Sequence, residues 1–194
     1  MARARRIARP PGVTHAVTNT GPLISAFQSN SVGLVTQIFP VIYVPPACVV
    51  EVEAHTWKTE IRAAGKQLVI VKLTRSEEKQ ARAIARKIAR HPASNDPAPA
   101  THLGEAQTIV LSRRPAHRND VLLLDEMAAR AIAREAGLRF SGFPGVLLLA
   151  VQGTLISAEE LKARLELCRA SGTHYGAAFI QRVYEMARQG RRRP

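Results

Sequence analysis

The chain has 194 residues, 46% of them hydrophobic, enough for one domain with a real core. Its formal charge of +13 favours a polyanion: RNA, DNA, an anionic membrane surface or an acidic protein. Cys48 and Cys168 form neither a disulfide framework nor a CxxC pair, which excludes a cysteine-zinc scaffold and points to a reducing, cytoplasmic setting. No apolar run approaches the roughly 18 residues of a membrane helix. Residues 1–12, MARARRIARPPG, are basic without the apolar centre of a signal peptide and read as a disordered arm.

Val13 to Thr18 leans towards strand and runs into Asn19-Thr20-Gly21-Pro22, a strand-to-helix junction. Asn19 can order that turn through its own side chain. Leu34 to Phe39 reads as a short helix, and Val41 to Val44 as a second buried strand. Pro45-Pro46 ends that strand and opens a helix carrying Glu51 and Glu53, where acids also interact well with the helix dipole. Leu68 to Leu73 is a third strand.

Thr74 and Glu77 have capping-box spacing, and the following helix places Lys79, Arg82, Arg86 and Arg90 on one face. That stripe can track a phosphate backbone or simply be a solvated face. Pro92 to Pro99 is a loop, and His102-Leu103-Gly104-Glu105-Ala106 opens an apolar helix with Glu105 in its first turn. Arg113, Arg114, His117 and Arg118 form a basic loop before the central strand, Val121 to Leu124.

That strand ends on Asp125-Glu126, and an Ala/Arg-rich helix runs from there to Gly137. Asp125 stands where open α/β sheets place ligands, yet it is also a favoured helix cap. Leu138 to Ser141 is a final strand, Gly142 to Gly145 a turn, and Val146 to Val151 a helix. Ser157 and Glu160 form a second capping box, and a terminal helix follows over Tyr175 to Arg188. No phosphate-binding loop, zincin or serine-hydrolase motif occurs.

Asn19, Glu51, Glu105 and Asp125 thus all fall at strand ends or helix starts, which share one edge of a parallel sheet. Converging carboxylates require a cation, and hard oxygen ligands suit Mg²⁺ or Mn²⁺. Such ions serve phosphodiester hydrolysis.

The segments VTNTGPLISAF, IYVPPACVVEV, HLGEAQTIVLS and VLLLDEMAARAIAREAGLRFSGFPGVLLLAVQGTLIS, in this order, resemble the PIN-domain family. The likeness is to the VapC-like branch of small prokaryotic PIN proteins related to toxin halves of toxin–antitoxin pairs. It covers about Val13 to Ser157, with weaker similarity over GTHYGAAFIQRVYEMA. The resemblance implies a three-layer α/β/α fold with a central, mostly parallel five-stranded sheet over residues 13–157. A C-terminal helical extension at 158–189 and a basic tail at 190–194 follow.

The resemblance also implies a metal-dependent ribonuclease with Glu51, Glu105 and Asp125 as catalytic metal ligands, Asn19 as a neutral fourth, and Mg²⁺ or Mn²⁺ as cofactor. Thr20 and Arg130 are the implied substrate contacts, and Arg82 and Arg86 of the cationic stripe are further candidates for substrate binding. RNA is the implied substrate, with a homodimer and a cognate antitoxin as protein partners. The family usually has Asp where this chain has Asn19, although this branch often has Asn in an NTxPL context. The amide removes one negative charge, and Gly21 replaces a small hydroxyl residue. A second reading is therefore a catalytically weakened PIN fold that binds RNA or protein. A third is a sheet protein whose charge only reflects genome composition.

Overall fold

The computed structural model describes residues 14–54, 65–173 and 175–190. The N-terminal arm at 1–12 and the tail beyond Gly190 lie outside the described residues. The strands are short: β1 (Ala16–Thr18), β2 (Ile42–Val44), β3 (Leu68–Ile70), β4 (Val121–Leu123) and β5 (Phe140–Ser141), of which β1, β2 and β4 are mostly buried and β3 and β5 are partly exposed. They hydrogen-bond in the order β3-β2-β1-β4-β5, and every pairing is parallel. Ala16 stands opposite Ile42 on one side and Val121 on the other.

Nine α-helices flank this sheet among the described residues: α1 (Thr20–Gln28), α2 (Val32–Ile38), α3 (Pro46–Ala54), α4 (Arg75–Ala89), α5 (Leu103–Ser112), α6 (Met127–Glu135), α7 (Phe143–Gln152), α8 (Ala158–Ala170) and α9 (Ala177–Gly190). The alternation of strand side chains divides them between two layers. Leu123 enters a core with Phe27 of α1, Val35 of α2, Val52 of α3, Leu147 of α7, Leu165 of α8 and Ile180 of α9. Its neighbours Leu122 and Leu124 enter the opposite core with Ile88 of α4, Ile109 of α5 and Ile132 of α6. The result is the expected three-layer α/β/α arrangement, with a sheet that is parallel throughout.

Both capping boxes are present, Thr74 with Glu77 on α4 and Ser157 with Glu160 on α8. The expected turn at Gly142–Gly145 is instead the start of α7: Gly142 is its cap, and Phe143, Pro144 and Gly145 are already helical. Pro144 is accommodated because first-turn N–H groups have no intrahelical partner to lose. No helix of the described residues is long and apolar enough to cross a membrane. Cys48 and Cys168 are free and buried. Burial pushes their thiols up, to about 12 and about 11, so neither is a ready thiolate.

Glu77 does more than cap α4. Arg114 Nε and Nη2 donate to its two carboxylate oxygens at 2.7 and 2.8 Å, which ties α4 to the loop after α5. The Arg114 guanidinium holds the Glu77 carboxyl down at about 2, against an ordinary value of 4.5. A depressed carboxyl stabilises the fold above its unfolded value, and that stability is lost as pH falls through the folded value. Between pH 4.5 and about 2 the protein is therefore expected to lose a contribution that Glu77→Gln lacks already. After discounting for solvent screening, that contribution is about 1–2 kcal/mol. Urea unfolding of both proteins across this range checks it, and parallel pH curves would contradict it.

Candidate active site at the sheet switch point

The strand order reverses direction between β1 and β4: β2 and β3 extend the sheet on one side of this pair and β5 on the other. At such a switch point the connections leave on opposite faces and open a crevice outside the carboxyl ends of the strands. Asn19 follows β1 directly, and Asp125 follows Leu124 at the end of β4. The backbone N–H of Asn19 donates to Leu123 O at 3.3 Å, which locks the two strand ends together.

Asn19 occupies the cap position of α1, but its side chain makes no capping bond. This overturns the reading in which it merely orders its own turn. Its Nδ2 donates instead to Oε1 of Glu105 at 2.9 Å, across 86 residues of chain. Glu105 is held there by the first turn of α5. Burial raises its carboxyl above the ordinary value, the charge of Glu51 adds to the rise, and the Asn19 amide opposes it. Next to Asn19, Thr20 donates through Oγ1 to Glu51 Oε2 at 2.6 Å and so orients the exposed acid of α3.

Gly104 lets these elements meet. A Cβ there would lie 3.2 Å from Cys48 Sγ, close enough that α3 or α5 must give by a few tenths of an ångström, and 3.5 Å from Glu51 Oε2, in ordinary contact. Gly21 has a looser fit: its Cβ would stand 3.8 Å from Asp125 Oδ2 and 4.0 Å from Asn19 Nδ2, in ordinary contact. Gly21 thus lies between the Asn19 amide and the Asp125 carboxylate.

Asp125 is not the cap of α6. Glu126 takes that role, accepting from the backbone N–H groups of Ala128 and Ala129. The adjacent acid satisfies the helix end and leaves Asp125 to the crevice. Asp125 Oδ1 accepts from the Phe143 backbone N–H at 3.0 Å, and Oδ2 accepts from the Tyr175 hydroxyl at 3.2 Å. Tyr175 OH also lies 3.2 Å from Ser25 Oγ, and its ring stacks on Phe179. Burial raises the Asp125 carboxyl, opposed by the Phe143 N–H, the Arg130 charge and Tyr175.

Arg130 stands beside Asp125 with its guanidinium 5.5 Å from the Phe140 ring centre. By contrast, Arg82 and Arg86 project from the exposed face of α4. Arg82 only approaches Glu78 at 3.9 Å, and among the described residues neither arginine meets the acids. Tyr175, Ser25 and the Phe143 N–H are site components that the sequence reading did not include. Tyr175 lies 50 residues beyond Asp125, and no local pattern marks the pairing.

Among the described residues, no three His, Cys, Asp or Glu side chains gather as a ready-made metal cage. The acids instead line the crevice, each steadied by its own donor: Thr20 for Glu51, Asn19 for Glu105, Phe143 and Tyr175 for Asp125. Two oxygens stand out. Asn19 Oδ1 and Glu105 Oε2 are buried without a hydrogen-bond partner. A buried acceptor with no donor costs about 1–3 kcal/mol, more when charged. A hard cation is the kind of partner that an amide and a carboxylate oxygen accept together. Beside Asp125 a cleft of about 540 Å³ opens between α1, the loop around Asn95, the start of α6 and Tyr175.

The family model of DUF3368, a PIN domain, matches residues 15–189. No curated protein matches the chain.

Proposed function

The chain belongs to the PIN-domain family, a nuclease-type fold, and from that premise we propose that it is a divalent-metal-dependent endoribonuclease. The observation that carries this reading is the pair of buried, partnerless oxygens, Asn19 Oδ1 and Glu105 Oε2, at the switch point of the sheet. Glu105, Asn19, Asp125 and Glu51 would hold Mg²⁺ or Mn²⁺. When bound, such a cation neutralises the acids, polarises a phosphoryl oxygen and lowers the proton affinity of water.

The chain's own residues do the rest. Asn19 holds Glu105 in place, and Thr20 does the same for Glu51. Tyr175 and the Phe143 N–H fix both oxygens of Asp125, so its carboxylate is pre-aimed rather than mobile. Arg130, beside Asp125, offers a guanidinium to a phosphate oxygen. Burial raises the proton affinity of Glu105 and Asp125, so either is able to take a proton more readily than an exposed carboxylate does. The cleft next to Asp125 has room for an unpaired nucleotide.

The chain's excess of cations supports RNA as the substrate. A toxin-like role with a dimer or antitoxin partner is the finer part of the reading. Exposed Leu167 on α8 and Met186 on α9 support it as apolar contact points near the C-terminus. The alternative, a binding module, is favoured by the amide at Asn19 in place of an acid.

Metal removal tests the two readings. A labelled single-stranded RNA pool is expected to be cut internally with Mn²⁺ or Mg²⁺, and cutting is expected to fall at least about 100-fold in chelator and return on re-addition. Metal-independent cutting would contradict the proposal. RNA binding without cleavage would favour the module.

A further inference from the structure

A second cavity, of about 570 Å³, opens at the opposite end of β4 from the acids. Its walls are the end of α5, the turn through Pro115–His117, the start of β4 and the turn joining α6 to β5. Arg113, Arg114, Arg118 and Arg139 surround it, and the half-buried Leu138 supplies apolar surface. The two nearby acids are already engaged. Asp120 binds His117 Nδ1 at 2.8 Å, and Glu77 binds Arg114.

The Arg113 and Arg118 guanidinium groups make no hydrogen bond or ion pair with any described residue, and Arg139 reaches only Asn119 O, at 3.4 Å. Three cations from three separate elements therefore share one cavity whose one lining acid, Asp120, is bonded to His117. Like charges brought together repel, so the arrangement is poised for an anionic ligand. Ser112, another wall residue, is 6% exposed, and its hydroxyl is buried without a partner. An unpaired buried hydroxyl is a second sign of a missing polar group.

We propose that this cavity binds a phosphorylated nucleoside, with the guanidinium rim on the phosphate and the Leu138 surface under the base and sugar. Guanidinium forks match phosphate oxygens, and the volume is that of a small-ligand site. The apolar Leu138 surface argues against a bare inorganic ion. The ligand's source is either the phosphorylated end of an RNA or a free mononucleotide.

Calorimetry in chelator keeps the acid edge out of the measurement. The probes are a nucleoside 5′-monophosphate, the unphosphorylated nucleoside, short RNAs with a 5′-phosphate or a 5′-hydroxyl, and an acidic peptide. The parent is expected to bind the phosphorylated probes and not the bare nucleoside. Arg118→Ala with Arg139→Ala is expected to weaken that binding at least about tenfold, with thermal stability unchanged because both side chains are exposed. Tighter binding of the 5′-phosphorylated RNA than of the mononucleotide identifies an RNA end, and equal binding identifies the free nucleotide. No binding of phosphorylated probes, an unaffected double variant, or preference for the acidic peptide would overturn the proposal. None of these outcomes depends on whether the acid edge cuts RNA.

Discussion

Gly142→Ala is expected to reduce RNA cleavage by about 100-fold or more and to destabilise the fold by about 1–3 kcal/mol. The reason is space, not backbone freedom, because Gly142 has φ −113° and ψ 177°, which any residue adopts. A methyl group there would overlap Asp125 Oδ1, stand 3.0 Å from Arg130 Nη2 and 3.3 Å from the backbone oxygen of Leu124. Asp125 would have to leave the Phe143 N–H, and a catalytic carboxylate displaced by about an ångström forfeits most of its use. Gly145→Ala is the matched control. Its methyl would overlap only the Ser141 hydroxyl, which can rotate away at the cost of a 3.3 Å bond to Gly142 O. Steady-state cleavage and urea unfolding of both variants check the contrast. Equal, mild effects would mean that Asp125 is not fixed by this contact.

The second large effect concerns Asn19→Asp. In the parent, the Asn19 amide donates to Glu105 at 2.9 Å and lowers its proton affinity. An aspartate there loses the donor and sets two carboxylates against each other, close to Asp125. Without a cation, the variant is expected to be about 1–3 kcal/mol less stable at neutral pH. A buried acid whose folded carboxyl is raised costs stability as pH climbs from its unfolded value through its folded one. The deficit should therefore shrink as pH falls and vanish below 4.5, where Glu105 is protonated in both states.

Mn²⁺ should reverse the order. The added charge strengthens cation binding, so the variant is expected to gain more from the metal than the parent does, with about tenfold tighter apparent affinity. Denaturation with and without Mn²⁺ at two pH values measures all of this. A variant as stable as the parent without metal would show that the amide does not hold Glu105. Cleavage by the variant and not by the parent would favour the binding-module reading.

Much of the fold was legible because local signals agreed with the global arrangement. The apolar runs at β1 and β4 lead into Asn19 and Asp125, Pro45-Pro46 ends β2, and both capping boxes form where their spacing places them. The sheet order was the missing step. Nothing local says that β4 returns beside β1, yet that adjacency sets Asp125 near Asn19.

Adjacent acids were also ambiguous in the sequence. Asp125 and Glu126 are both able to cap α6, and only the backbone direction after Leu124 assigns the cap to Glu126. Gly142-Phe143-Pro144-Gly145 read as a turn because Gly and Pro usually interrupt helices. Here they occupy a first turn, where neither is costly. Tyr175 was invisible because its partner Asp125 lies far back in the chain.

The most direct measurement is cleavage of a labelled RNA pool by the parent and by Asp125→Ala, each with Mn²⁺ and in chelator. Folding of the variant would be verified by circular dichroism. The account predicts internal cuts by the metal-loaded parent and a loss of at least about 100-fold in the variant at equal fold content. Undiminished cutting by Asp125→Ala would contradict the placement of the nuclease at the β1–β4 switch point.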